Sequence, residues 1–272
     1  MDSKKTKEMI IRIITGLILL PLSIFLIVKA HSHVFFLVIY IIQLLAVKEF
    51  INIAKNDNIY VSKFMIWASA VIMPFLMFFF SDFTPFILAS FILLFVLFLL
   101  KMFSANPTEK VIEEVSYNFF VALYLPFLFT FLSLLKNIGY EWVLFLCFVI
   151  WASDSFAYFT GVALGKHKLI PKVSPGKSIE GLIGGAVGAL IVAYFFNMYL
   201  LHESLVTIAI IAVDVIAAGV IGDLIESMMK RSANVKDSGS IIPGHGGILD
   251  RFDSLIIAAP VLYFYLIYVA GK

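Results

Sequence analysis

The chain has 272 residues, of which 62% are hydrophobic and only 14% charged, with a mean hydropathy of +1.03. Soluble domains carry roughly 25% charged residues, so too little polar surface exists here to coat a water-soluble globule, and a multi-pass membrane protein is expected. The net charge of +2 does not point to nucleic acid as a partner, and the single cysteine, Cys147, excludes an internal disulfide or a cysteine metal cage.

A membrane span needs roughly 20 apolar residues to cross about 30 Å of hydrocarbon. In chain order the predicted spans are Ile10–Val28, His33–Ile53, Phe64–Phe80, Thr84–Leu100 and Tyr117–Leu135, then Glu141–Leu164, Ile179–Leu201, Ser204–Met229 and Leu249–Ala270. The first follows Lys4, Lys5 and Lys7 but has no small-x-small cleavage site after it, so it reads as a retained helix. The runs are continuous rather than alternating, which predicts an all-α polytopic protein and not a barrel. An odd number of spans puts the termini on opposite sides. All but three of the 20 Lys and Arg residues (Lys29, Lys136 and Lys272) then fall on the N-terminal side. By the positive-inside rule that side is cytoplasmic, so the longer loops are expected at the cytoplasmic face of the cell's inner membrane. Residues 1–136 read as a five-helix scaffold. Residues 137–272 form a four-helix region with cytoplasmic loops, where polar residues crowd the spans.

The sixth span carries Asp154 and Tyr158 one turn apart. Asp154 is expected inside the bundle, as either a site residue or a structural one. The loop that follows holds Lys166, His167, Lys168, Lys172, Ser174, Pro175, Gly176, Lys177 and Ser178. Such a loop can clamp a triphosphate or merely signal topology. It is not a Walker A loop, because Pro171 stands where the first glycine is required. Gly181, Gly184, Gly185 and Gly188 form a small-residue stripe for helix packing.

The eighth span ends with Asp223, Glu226, Ser227 and Lys230 at i, i+3, i+4 and i+7, sharing one helical face. The ninth opens with Asp250, Arg251 and Asp253. Acids converging from two helix ends need cations, and hard oxygen ligands suit Mg²⁺ or Mn²⁺. Asp223 and Asp250 are the first-choice ligands, with Glu226 beside them, and the number of acids leaves scope for a second cation. The competing reading is interface salt bridges to Lys230 and Arg251. Between the clusters lie Lys236, Asp237, Ser238, Gly239, Pro243, Gly244, His245, Gly246 and Gly247. Glycine-rich turns expose N–H groups that make anion-binding nests, and His245 is either a phosphate donor or a turn residue.

The run Ser227–Asp253, SMMKRSANVKDSGSIIPGHGGILDRFD, resembles the signature of the phosphatidate cytidylyltransferases, the CDP-diacylglycerol synthases. The resemblance extends to Gly222–Ser227 (GDLIES), Ser174–Gly181 (SPGKSIEG) and Ala152–Tyr158 (ASDSFAY), and so covers roughly the C-terminal half. It implies a helical membrane enzyme, acting as a homodimer, that converts CTP and phosphatidic acid to CDP-diacylglycerol and pyrophosphate with Mg²⁺. It implies metal ligation by Asp223 and Asp250, and signature site roles for Lys230, Arg231, Lys236, Asp237, His245, Arg251 and Asp253. Lys177 and Ser178 become contacts to nucleotide or phosphate. Lys166, Lys172, Ser174, Asp154 and Ser227 join the substrate side as further candidates. The chemistry needs no protein nucleophile, since phosphatidate's phosphate can attack the α-phosphorus itself once charge repulsion is neutralised. The alternatives are a CTP-dependent lipid kinase and, from another class, an ion-coupled transporter with a midplane site.

Overall fold

The computed structural model describes residues 3–54, 61–80, 82–244 and 246–272. Among these residues there are nine α-helices: α1 (Ser3–Lys29), α2 (Ser32–Ala54), α3 (Lys63–Phe79), α4 (Thr84–Met102), α5 (Val111–Ile138), α6 (Tyr140–Leu164), α7 (Ile179–Phe196), α8 (Leu205–Ser232) and α9 (Leu249–Tyr268). Seven are long and apolar enough to cross a membrane, and α1 and α3 contribute shorter apolar stretches, Ile13–Lys29 and Lys63–Phe79. The chain is a multi-pass, all-α membrane protein. Each predicted span lies within or closely overlaps one helix.

The ends differ for local reasons. Helix α5 starts at Val111 rather than at the predicted Tyr117, because Glu113 and Glu114 occupy its first turn, where carboxylates favour the positive end of the helix dipole. Glu114 also pairs with Lys101 of α4 at 2.8 Å. A π turn, Asn197–Leu201, continues α7, and the Asn197 side chain bonds the backbone N–H and C=O of Glu203.

Helix α5 is the core of the bundle. It packs on α2, α3, α4, α6 and α9, and Leu125, Phe129, Phe131 and Leu135 are fully buried along it. Outward-facing Leu17, Phe64, Phe91, Val187 and Val206 are exposed. Contiguous apolar surface on this scale is what hydrocarbon, not water, would cover. The glycine stripe of α7 packs as expected: Gly184 lies against Thr160, Gly185 against Ala157 and Gly188 against Phe156 of α6. Cys147 is a buried apolar filler.

The basic loop between α6 and α7 contains an element that the apolar pattern does not mark, an antiparallel hairpin of β1 (Lys168–Ile170) and β2 (Ser174–Ser178). Its base is tied to α7. Ile179 donates its N–H to the His167 carbonyl at 2.9 Å, and the Glu180 carboxylate accepts from the Lys166 and His167 N–H groups and pairs with His167 Nδ1 at 2.6 Å. The hairpin thereby folds back toward α8.

Candidate active site

Helices α8 and α9 come together closely just where their acids lie. A Cβ on Gly222 would stand 2.5 Å from the Asp253 carbonyl oxygen, so only glycine permits this approach. The residue after Gly222 is Asp223, and the contact brings the Asp223 carboxylate into electrostatic range of Asp253.

Two adjoining charge clusters result. In the first, Lys177 of β2 reaches Asp223 Oδ2 at 2.6 Å, both side chains about a quarter exposed. Ser227 Oγ donates to Asp223 Oδ1 at 3.2 Å from one turn further along α8. Asp154 of α6 lies within electrostatic reach of Asp223 and Lys177, and also of Asp253 and Arg251 of α9. In the second cluster, Lys230 Nζ donates to Glu226 Oε2 at 2.9 Å and to Asp250 Oδ1 at 2.7 Å. All three side chains are close to buried. Glu226 and Asp253 stand side by side and join the two clusters. Glu226 Oε1 is buried with no hydrogen-bond partner, and Glu226 lines a small cavity with Tyr124, Lys230 and Asp253.

Asp250 is held on several sides. Oδ2 accepts from the Ser238 N–H at 3.0 Å, the Ser238 hydroxyl at 3.0 Å and the Gly247 N–H at 2.9 Å. Gly246 reaches this geometry through a φ of +82°, a left-handed conformation that glycine adopts without strain. The turns gather N–H groups on an anion, as expected of a nest, and the anion they hold here is the protein's own Asp250 carboxylate. An intramolecular acceptor in fixed position satisfies them without a ligand.

The other candidates are placed as follows. Lys166, Lys172, Lys236, Asp237, Arg231 and Arg251 are exposed, and Ser174 is half-buried. Arg231 donates to the Val235 carbonyl at 3.4 Å, folding onto its own helix end. Ser178 is buried, and its hydroxyl accepts the Gly181 N–H at 3.1 Å as the N-cap of α7; the hydroxyl is thus engaged by the protein itself. Asp154 has an open face on α6, and its carboxylate lies within electrostatic reach of Asp253, Asp223, Lys177 and Arg251, at the edge of the charged site. Its helix packs α7 through the residues that meet the glycine stripe, and Asp154 lies off that contact. His245 lies outside the described residues.

Two residues carry weight that the sequence did not reveal. Glu180 anchors the hairpin that presents Lys177. Glu49 of α2 is 3% exposed and accepts from the Ile248 and Leu249 N–H groups, each at 3.1 Å; its Oε2 also lies 3.1 Å from the Ser238 hydroxyl, whose one proton it shares with Asp250. The available signal was an ionisable residue inside an apolar span, which needs a partner or a function. Thr15 of α1 also reaches the glycine loop, donating to the Pro243 carbonyl at 3.2 Å.

The donor set is carboxylate oxygen, the chemistry that hard divalent cations prefer, and one of its oxygens is orphaned. Among the described residues no group of three His, Cys, Asp or Glu side chains converges tightly enough to hold a metal ion unaided. Lysine ammonium groups stand at Asp223 and Asp250 instead.

These features define a class: a multi-pass helical membrane protein with a charge-dense, lysine-neutralised acidic site where two of its helices end. Its family follows from comparison. A model of the cytidylyltransferase family matches residues 10–269, and the chain belongs to that family. It is 43% identical over 158 residues to a phosphatidate cytidylyltransferase of Bacillus subtilis (strain 168), a match covering 57% of this chain and 59% of that protein. It is 50% identical over 129 residues to a phosphatidate cytidylyltransferase of Haemophilus influenzae, covering 45% of each. The matches thus span about half the length of these curated relatives.

Proposed function

We propose that this protein is a phosphatidate cytidylyltransferase, transferring CMP from CTP to phosphatidic acid to give CDP-diacylglycerol and pyrophosphate. The observation that carries the reading is the pair of lysine–carboxylate contacts, Lys177 to Asp223 and Lys230 to Asp250. They stand in the segments that resemble the family signature, and two relatives named for this activity support the assignment.

A phosphate oxygen of the lipid attacks the α-phosphorus of CTP. The new P–O bond forms the pyrophosphate link of CDP-diacylglycerol as the bond to the β-phosphate oxygen breaks, and the electron pair leaves with pyrophosphate. Both reactants are anionic, so the barrier is largely electrostatic, and fixed cations act on it directly. Lys177 and Lys230 are the nearest such groups. Each is held by a carboxylate and is positioned to shift onto phosphate oxygens when that carboxylate is engaged elsewhere. Arg251, Arg231 and Lys236 add positive charge at the rim.

Asp223 and Asp250, with Glu226 beside them, would hold Mg²⁺ or Mn²⁺. Magnesium commonly takes one or two carboxylates and completes its shell with substrate phosphates and water, so a preformed three-carboxylate cage is not required. When bound, the metal supplies charge neutralisation on the triphosphate. The site would face the cytoplasm in the inner membrane, where CTP is available, with the acyl chains of phosphatidic acid remaining in lipid. A homodimer is part of the proposal.

The test is incubation of purified protein with CTP labelled at the α-phosphorus, phosphatidic acid and Mg²⁺, with and without chelator, followed by lipid extraction. Label in a CDP-diacylglycerol product, pyrophosphate release and loss of both on chelation are expected. Release of CDP would identify a lipid kinase, and the absence of any product would favour a transporter.

A further inference from the structure

Helix α9 begins without a capping side chain of its own. The first N–H groups of a helix have no intrahelical partner, and here Ile248 and Leu249 give theirs to Glu49, on a helix some two hundred positions earlier. Each carboxylate oxygen takes one of them, and Oε2 also meets the Ser238 hydroxyl. An anion at this end is favoured by the helix dipole.

The same serine is bonded to Asp250. Ser238 Oγ lies 3.1 Å from Glu49 Oε2 and 3.0 Å from Asp250 Oδ2, and its N–H donates to Asp250. Gly247, whose N–H completes the hold on Asp250, has no room for a Cβ between Ser238 and Glu49. Glu49 therefore fixes both the chain segment just before Asp250 and the loop residue that grips it.

We infer that Glu49 is a positioning residue: it sets the start of α9 and the 238–249 loop so that the Asp250 carboxylate is held at the site. Glu49 touches no substrate in this account. The inference rests on the proposed function only in that Asp250 belongs to the cytidylyltransfer site.

Glu49→Gln tests it. The amide keeps size but replaces one acceptor oxygen with an NH₂ group, which must face an N–H or a hydroxyl. Amide hydrogen exchange is measured on the full-length detergent-purified protein, without nucleotide or metal, with wild type alongside. Faster exchange at 238–252, with α5 and α6 unchanged, is expected. Kinetics give the second readout. Turnover should fall and half-saturating Mg²⁺ should rise by about 10- to 100-fold, the range seen when groups that orient metal ligands are removed. A merely structural role would lower the active fraction and leave half-saturating Mg²⁺ where it is.

Wild-type exchange at 238–252 overturns the inference, as does an unshifted Mg²⁺ dependence. Glu49→Asp, which keeps the charge but withdraws it by one methylene, should fall between Gln and wild type. It carries the same comparison if Glu49→Gln is not recovered folded. Absence of CDP-diacylglycerol synthesis in wild type would defeat the functional reading alone, because the exchange measurement does not depend on it.

Discussion

Lys230 and Asp250 are joined at 2.7 Å across the junction of α8 and α9, and the same ammonium group holds Glu226 at 2.9 Å. One cation thus serves two carboxylates that are both largely withdrawn from solvent. Removing one partner of a buried pair leaves uncompensated charge and costs about 3–5 kcal/mol. Lys230→Met is accordingly expected to lower the melting temperature in detergent and to abolish turnover. Lys230→Arg retains the charge and should recover most of the stability. Thermal unfolding of the two variants side by side checks this.

The Lys177–Asp223 pair behaves differently, because both side chains are about a quarter exposed. Solvent screens such a pair, so it contributes little to folding. Lys177→Ala should therefore melt like wild type while its rate falls by about 10²- to 10³-fold, as when an oxyanion donor is lost. A variant that melts early but turns over normally would show that the pair serves the fold.

Gly222 governs how closely the two acidic helix ends approach. A methyl group there would meet the Asp253 carbonyl oxygen at 2.5 Å, and overpacking of this kind costs about 1–3 kcal/mol. Gly222→Ala is expected to destabilise the protein and to reduce activity. Gly16→Ala is the control: nothing lies within 4 Å of its added Cβ, and it should be neutral or slightly stabilising.

Much of this was legible in the sequence for a physical reason. Lipid demands long uninterrupted apolar runs, so the helices announce themselves, and i, i+4 spacing on α8 gives both the Glu226–Lys230 and the Asp223–Ser227 contacts. The hairpin at 168–178 was not legible. Its strands carry Lys168, Ser174, Pro175 and Lys177, with no apolar alternation to reveal them.

Glu49 was hidden for another reason. The first half reads as scaffold because its spans are apolar, and one acid in such a run gives no clue to a partner loop far along the chain. The glycine-rich loop was legible only in part. Its composition indicates turns able to gather N–H groups, but not whether a ligand or the protein's own Asp250 and Glu49 will receive them.

The central claim is that the acids at the ends of α8 and α9 carry nucleotidyl transfer. The most direct measurement compares wild type and Asp250→Asn for incorporation of α-phosphorus label from CTP into lipid, with melting curves recorded on the same preparations. The account predicts a loss of at least about 3 kcal/mol of transition-state stabilisation, roughly a hundredfold in rate, in a variant that remains folded. Near-normal labelling by folded Asp250→Asn would contradict it.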